Sequence, residues 1–237
     1  MPTEGPPPAL SFVVPVWNES GRIAAQLRAL RRAFPDAERI VVDGGSSDGT
    51  LPAALPHADA VLLGPRGRAA QMNLGAAAAR GRYLCFLHAD TLPEFDQAQL
   101  LAALAAAPWA FCRVRLTGRP RALRLIAALM NRRSRLTRVA TGDQLLIVRG
   151  ALFREIGGFA DIPLMEDVEI CKRLRRRAAP RALALRVASS GRRWERDGVL
   201  PTVLRMWALR LAYWAGVSPR RLWQHYYGGR AVRAVRR

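Results

Sequence analysis

The constraint that most narrows this chain is the regular return of short apolar runs through its first ninety residues. Residues 10–14, 39–42, 60–63 and 83–87 are each four or five residues long and mainly apolar. Runs of that kind suit strands buried on both faces of a parallel sheet. Helical segments separate them. Ile23, Leu27 and Leu30 fall on one face of residues 21–33, and residues 68–79 form an alanine-rich stretch that ends before Gly81. Strand and helix in alternation indicate βαβ units, so the expected class is α/β, with a mostly parallel, Rossmann-like sheet flanked by helices. A chain of 237 residues has room for one such domain and a terminal elaboration.

Beyond Pro93 the order changes. A helix is expected over 95–106 and a strand over 109–116. A basic amphipathic segment over 121–135 has the character of a mobile insert. Strands at 144–148 and 183–187 are separated by a helix at 166–176. The proline-rich residues 1–9 are expected to be a disordered leader, 10–195 the main domain, and 196–237 a helical extension, basic and rich in aromatics. In that extension Trp207, Tyr213 and Trp214 accompany Arg205 and Arg210, a mixture that suits core or dimer packing first and peripheral membrane contact second. No run approaches the roughly 20 apolar residues of a membrane-spanning helix, and the start lacks a signal peptide's pattern, which makes the cytoplasm the expected location. Cys85, Cys112 and Cys171 lie far apart and read as core residues rather than a disulfide or zinc framework. The net charge of +20 fits either a polyanionic partner or a compositional preference, since Lys172 is the single lysine among 38 basic residues.

In a wound α/β sheet, ligands meet the loops that leave the carboxyl ends of the strands. Here those loops are polar: Pro15-Val16-Trp17-Asn18-Glu19 after the first run, Asp43-Gly44-Gly45-Ser46-Ser47-Asp48-Gly49-Thr50 after the second, and His88-Ala89-Asp90 after the fourth. Each has a plain structural reading. Asn18 or Ser20 can cap a helix, a glycine and serine cluster can be a turn, and a histidine can sit satisfied in a core. Their recurrence at one edge points to a shared ligand.

These motifs, in this order and spacing, resemble the family 2 glycosyltransferases with an A-type nucleotide-binding fold. The matching stretches are PVWNE, VVDGGSSDGT, GRAAQMNLGAAAARG, LCFLHAD, GGF at Gly157 to Phe159 and MED at Met165 to Asp167, covering roughly residues 10–195. The resemblance implies that Pro15, Val16, Asn18 and Glu19 line a base and ribose pocket, that Asp43 holds the base and that Asp48 lies near the ribose. It implies that Arg68 helps position a diphosphate, for which a guanidinium at a helix start is well suited. His88 replaces the first acid of the family's Asp-x-Asp. Asp90 keeps the hard oxygen that Mg²⁺ or Mn²⁺ prefers, and His88 is a ligand acceptable to Mn²⁺ or a hydrogen-bond partner of the ribose. Glu166 and Asp167 match the family's acidic pair, with Asp167 the first choice for general base and Glu166 the second. Their plain alternative is a pair of helix-start acids stabilised by the macrodipole. Asp143 is a further candidate for acceptor contact.

The reaction so implied is non-processive sugar transfer, with inversion, from a nucleoside diphosphate sugar to a small-molecule or lipid-linked acceptor, UDP being favoured over GDP. Within the family the chain most resembles a small bacterial subfamily associated with arsenosugar biosynthesis. Three rivals are weighed against it. An S-adenosylmethionine-dependent methyltransferase would want its glycine turn after the first strand, and a sugar-phosphate nucleotidyltransferase a basic glycine-rich loop there. A basic nucleic-acid or membrane-surface binder rests only on arginine content and the aromatic tail.

Overall fold

The computed structural model describes residues 6–234, so residues 1–5 of the expected leader lie outside it. Eight strands form one sheet: β1 Leu10–Val16, β2 Glu38–Asp43, β3 Ala60–Leu63, β4 Tyr83–Phe86, β5 Thr91–Pro93, β6 Trp109–Thr117, β7 Leu146–Arg149 and β8 Arg181–Ser190. Their spatial order is β3-β2-β1-β4-β7-β6-β8-β5. Strands β3, β2, β1 and β4 are parallel, β7 runs against both β4 and β6, β8 is parallel to β6, and β5 is antiparallel to β8. The expected α/β class with a mostly parallel sheet is what the chain adopts.

The helices are α1 Ser20–Ala33, α2 Thr50–Ala54, α3 Arg68–Ala78, α4 Gln97–Leu104, α5 Ala122–Thr137, α6 Gly150–Glu155, α7 Glu166–Arg177, α8 Arg192–Asp197, α9 Val199–Trp214 and α10 Pro219–Ala234. Side-chain alternation along the strands sends one set to each face of the sheet. Phe12 and Val14 of β1 pack with Ile23, Leu27 and Leu30 of α1. Val13, between them, joins Val42, Met72, Ala76 and Phe86 on the other face. Leu209 of α9 with Leu222 and Tyr226 of α10 belong to that second cluster, so the C-terminal helices lie on the main core.

Several boundaries differ from expectation for identifiable reasons. Pairing starts before β1, since the carbonyls of Pro8 and Ala9 accept from the N–H groups of Arg82 and Tyr83, both at 3.0 Å. Helix α4 begins at Gln97 because Asp96 and Gln99 form a reciprocal capping box, with Gln99 N to Asp96 Oδ1 at 2.8 Å and Asp96 N to Gln99 Oε1 at 3.0 Å. The basic segment expected as a mobile insert is instead the anchored helix α5. Leu123, Ile126 and Ala127 pack on Val114 and Leu116 of β6. Asn131 exchanges hydrogen bonds with both backbone groups of Val114 at 2.9 Å, and Ser134 Oγ donates to Gln144 Oε1 at 2.6 Å.

Helix α3 sits unusually close to the sheet because Gly75 faces it: a Cβ there would meet Val13 Cγ1 at 2.5 Å and Val42 Cγ2 at 2.9 Å. Gly75→Ala should therefore push α3 off β1 and β2 and destabilise the fold by about 1–3 kcal/mol, despite alanine's better helix propensity. Urea unfolding of the two proteins checks this, and a Gly75→Ala variant as stable as wild type would contradict it.

Candidate active site

Parallel pairing of β1 with β2 places Val16 directly opposite Asp43, so the two loops that follow start side by side. They are laced together by hydrogen bonds. Asn18, at φ 54°, donates its N–H to Ser46 Oγ at 2.8 Å and accepts from Ser47 N at 2.9 Å. Glu19 N donates to Thr50 Oγ1 at 2.8 Å. Asp43 is fully buried, and its carboxylate accepts from Gly45 N at 3.0 Å, Ser46 N at 2.8 Å and the Ser46 hydroxyl. A carboxylate has about four acceptor positions, and these three bonds fill most of them. Pro15 and Val16 are buried in the strand end.

The helix-capping work expected of Asn18 or Ser20 falls to Asp48. Its carboxylate accepts from Ser20 N at 3.2 Å and Ser20 Oγ at 2.9 Å at the start of α1, and from Thr50 N at 3.2 Å and the Thr50 hydroxyl at the start of α2. These bonds, the Thr50 hydroxyl's foremost, hold the Asp48 carboxyl at about 2.

The end of β4 is fixed from an unexpected direction. Gln26 of α1, buried, donates through Nε2 to His88 O at 2.6 Å and Thr91 O at 2.7 Å, clamping the His88-Ala89-Asp90 turn. Asp143, in the short 3-10 turn before β7, arrives at the same place because β7 runs antiparallel to β4. Ligand-type atoms of His88, Asp90 and Asp143 all lie within 4.8 Å of one another. His88 Nδ1 is 3.8 Å from Asp143 Oδ1, which also accepts from Ser189 Oγ at 3.2 Å. The packing is so close that a Cβ on Gly142 would fall 2.1 Å from His88 Cε1. Burial raises the Asp143 carboxyl, but His88, Arg193 and Arg68 outweigh it and hold it at about 2. Two hard carboxylates and an imidazole make a donor set suited to Mn²⁺, and with more water in the shell to Mg²⁺.

Arg192, at the start of α8, reaches into this edge. Its Nη2 lies 3.5 Å from Glu19 Oε1 and 3.6 Å from Asp90 Oδ2. Burial, then the Asp90 charge, raises the Glu19 carboxyl.

The acidic pair opens α7, directly after Met165 in the left-handed region at φ 70°. Glu166 is buried and faces Arg68 of α3 at 3.8 Å. Asp167 accepts from Val168 N at 2.8 Å and Gly142 N at 3.3 Å, which ties the pair to the His88-Asp143 group. Burial, followed by the Glu166 charge, pushes Asp167 up to about 6. The preceding Gly157-Gly158-Phe159 turn is held by Asn73 of α3, which exchanges two hydrogen bonds of 2.8 Å with the Phe159 backbone. Asp167 borders two clefts. The smaller is walled by Phe86, His88, Gly142 and Phe159, and the larger by Arg68, Arg193, Arg210 and Tyr226.

The structure thus gathers every residue singled out in the sequence at one sheet edge, and moves Asp143 from the acceptor side to the neighbourhood of His88 and Asp90. Gln26, Gln71, Asn73 and Arg192 escaped sequence reasoning as parts of this edge. For Gln26 and Gln71 the available signal was a polar residue at an inward position of an amphipathic helix. Arg192 offered only a faint Arg-Arg-Trp pattern. Trp17, also overlooked, stacks under the Arg66 guanidinium at 3.6 Å.

A family model described as glycosyl transferase family 2 matches residues 11–147. The chain is 29% identical over 127 residues to a dolichyl-phosphate beta-glucosyltransferase of Drosophila melanogaster, a match covering 45% of this chain and 39% of the relative. Among solved structures it resembles the mannosyltransferase PcManGT from Pyrobaculum calidifontis in complex with GDP-Man and Mn²⁺, with TM-score 0.60, 23% identity, and coverage of 87% of this chain and 61% of that one. It also resembles S. aureus TarS 1–349 in complex with UDP, with TM-score 0.59, 18% identity, and coverage of 76% and 60%. These likenesses establish an A-type glycosyltransferase fold, and the chain spans 39% of the Drosophila relative's length and about 60% of each of the two solved chains.

The raised Asp167 carboxyl has a measurable consequence. A folded-state value near 6 against 3.8 unfolded means that the native protein holds the proton longer, so this group's effect on stability becomes less favourable as pH rises from about 4 through 6. Asp167→Asn should therefore gain on wild type across that window, by on the order of 1–2 kcal/mol after the weakened hydrogen bond is counted. Thermal unfolding from pH 4.5 to 8 reads the difference, and a gap that does not change with pH would contradict it.

Proposed function

Because the chain belongs to glycosyl transferase family 2, we propose that it transfers a sugar from a nucleoside diphosphate sugar, UDP-linked in preference to GDP-linked, to an acceptor hydroxyl with inversion at the anomeric carbon. The observation that carries this reading is the meeting of the His88, Asp90 and Asp143 cluster with Asp167 across Gly142. It puts a cation-type ligand set and a carboxylate of raised affinity for protons on one short stretch of the sheet edge.

Each residue then has a task. The Asp43 carboxylate takes a base N–H, and the laced backbone at Pro15, Val16, Asn18 and Glu19 shapes the base and ribose pocket. Asp48 supports that pocket by fixing the starts of α1 and α2. His88, Asp90 and Asp143 would hold a divalent cation, Mn²⁺ in preference to Mg²⁺, which would neutralise charge on the diphosphate. Arg68 and Arg192 offer guanidinium donors to the phosphate oxygens. Asp167 accepts the acceptor's proton as its oxygen bonds to the anomeric carbon, and the bond from that carbon to the diphosphate oxygen breaks with its electron pair leaving on the nucleoside diphosphate. Glu166 keeps Asp167 basic through its adjacent charge and anchors Arg68. A lipid-linked acceptor is supported by the dolichyl-phosphate named for the Drosophila relative. The methyltransferase rival finds no support in the family match or in the order of the loops.

Turnover of UDP-glucose and GDP-mannose to the free nucleoside diphosphate, followed with and without candidate acceptors, tests the assignment. Asp167→Asn should lower kcat by about 10²–10⁴ with donor KM changed only a few-fold, and wild-type kcat/KM should fall below about pH 6 as the base protonates. Unchanged kcat in both Asp167→Asn and Glu166→Gln would overturn the roles of the acidic pair.

A further inference from the structure

We propose that α9, with α5 beside it, lies in the plane of an anionic bilayer surface, the tryptophans and leucines of α9 at the acyl boundary and the exposed arginines of α5 among the headgroups. Leu200, Leu204, Trp207, Leu211 and Trp214 are spaced alternately four and three residues apart, which gathers them within an arc of about 80° on an α-helix. All five are outward, at 66%, 60%, 66%, 59% and 68% exposure. The opposite side of α9 is used: Thr202 and Leu209 are buried, and Met206 and Arg210 line the larger cleft beside Asp167. Helix α5 repeats the arrangement, with Leu123, Ile126 and Ala127 on the core and Leu125, Leu129 and Leu136 outward. Met130 of α5 and Val199 and Val203 of α9 pack against one cluster, so the two helices are neighbours.

Charge identifies the occupant. Residues 199–237 carry eight arginines and residues 118–142 carry seven, and neither segment contains an aspartate or glutamate. Only Arg205 and Arg210 of these stand on α9 itself, Arg210 at the cleft and Arg205 3.8 Å from Asp197, so the charge beside the apolar stripes comes from the exposed Arg124, Arg132 and Arg135 of α5. A second copy of this chain meeting these faces would set arginine against arginine without a countercharge. Anionic headgroups supply that countercharge, and arginine stems extend to them while leucine and tryptophan enter the boundary. Among the described residues no helix is long and apolar enough to cross a membrane, which leaves the in-plane arrangement. The inference is independent of the transfer chemistry, since it requires only the outer faces of α5 and α9.

Flotation of the full chain with vesicles of phosphatidylcholine alone, and of equal parts phosphatidylcholine and phosphatidylglycerol, tests it. Wild type should float with the anionic vesicles, with blue-shifted tryptophan emission and weaker binding at high salt, and should stay behind with the neutral ones. The triple variant Trp207→Ser, Leu211→Ser, Trp214→Ser should bind at least tenfold more weakly while keeping the wild-type circular dichroism spectrum and unfolding midpoint. Wild type that ignores both vesicles, equal flotation with the two compositions, a triple variant that binds as wild type does, or a wild-type dimer in sedimentation that the triple variant breaks without any vesicle binding would each overturn it.

Discussion

The site depends on how β1 and β2 part at their carboxyl ends. The ladder runs to the ends of the strands, with Gly44 N donating to Val16 O at 3.0 Å and Gly64 N to Asp43 O at 2.9 Å, and each carbonyl there has a second acceptor position. Gln71 uses those positions to tie the two strand ends together with one amide: its Nε2 donates to Val16 O at 2.8 Å and to Val42 O at 2.7 Å. Gly44 is needed beside it, since a Cβ there would come within 3.1 Å of the Gln71 amide. Because Gln71 stands on α3, the same contact sets the start of that helix against both loops, and with it Arg68. Asn73, two residues on, holds the Phe159 turn that leads into Glu166 and Asp167. One helix thus positions the base pocket, the phosphate-facing arginine and the approach to the acidic pair.

The site brings seven of the chain's eighteen acidic residues together with arginines. Glu19, Asp43, Asp48, Asp90, Asp143, Glu166 and Asp167 all lie along the sheet edge of a protein that is otherwise strongly basic. The opposing shifts of Asp143, held down near 2, and Asp167, pushed up to about 6, follow from what each faces: His88 and arginines in the first case, burial beside Glu166 in the second. Two carboxylates less than thirty residues apart are thereby suited to different work, one to stay an anion and the other to exchange a proton near neutrality.

Much of this was legible in the sequence because it is local. The four short runs became β1 to β4, Ile23, Leu27 and Leu30 did mark the buried face of α1, and the polar strand ends did converge. What was not legible depends on chain direction and distance. Nothing in the period of residues 144–148 tells that β7 runs against β4, and that reversal is what delivers Asp143 to His88. The three-residue β5, ending in Pro93, and α2, interrupted by Pro52, are too short to carry a period. Arg192 meets Glu19 across 173 positions through the turn after β8, a contact that no local pattern encodes. The segment expected to be a mobile insert looked so because its arginines dominate. Asn131 and Ser134, which anchor it, are single polar residues whose partners lie elsewhere in the chain.

The central claim is that this edge binds a nucleoside diphosphate together with a divalent cation. Isothermal titration of UDP and of GDP into the full chain, with and without Mn²⁺, on wild type and on Asp90→Ala, tests it most directly. The account predicts that one of the two nucleotides binds wild type, that Mn²⁺ strengthens the binding, and that Asp90→Ala removes the metal's contribution while the protein stays folded. Absence of binding by either nucleotide to wild type in the presence of Mn²⁺, or an unchanged metal effect in Asp90→Ala, would contradict it.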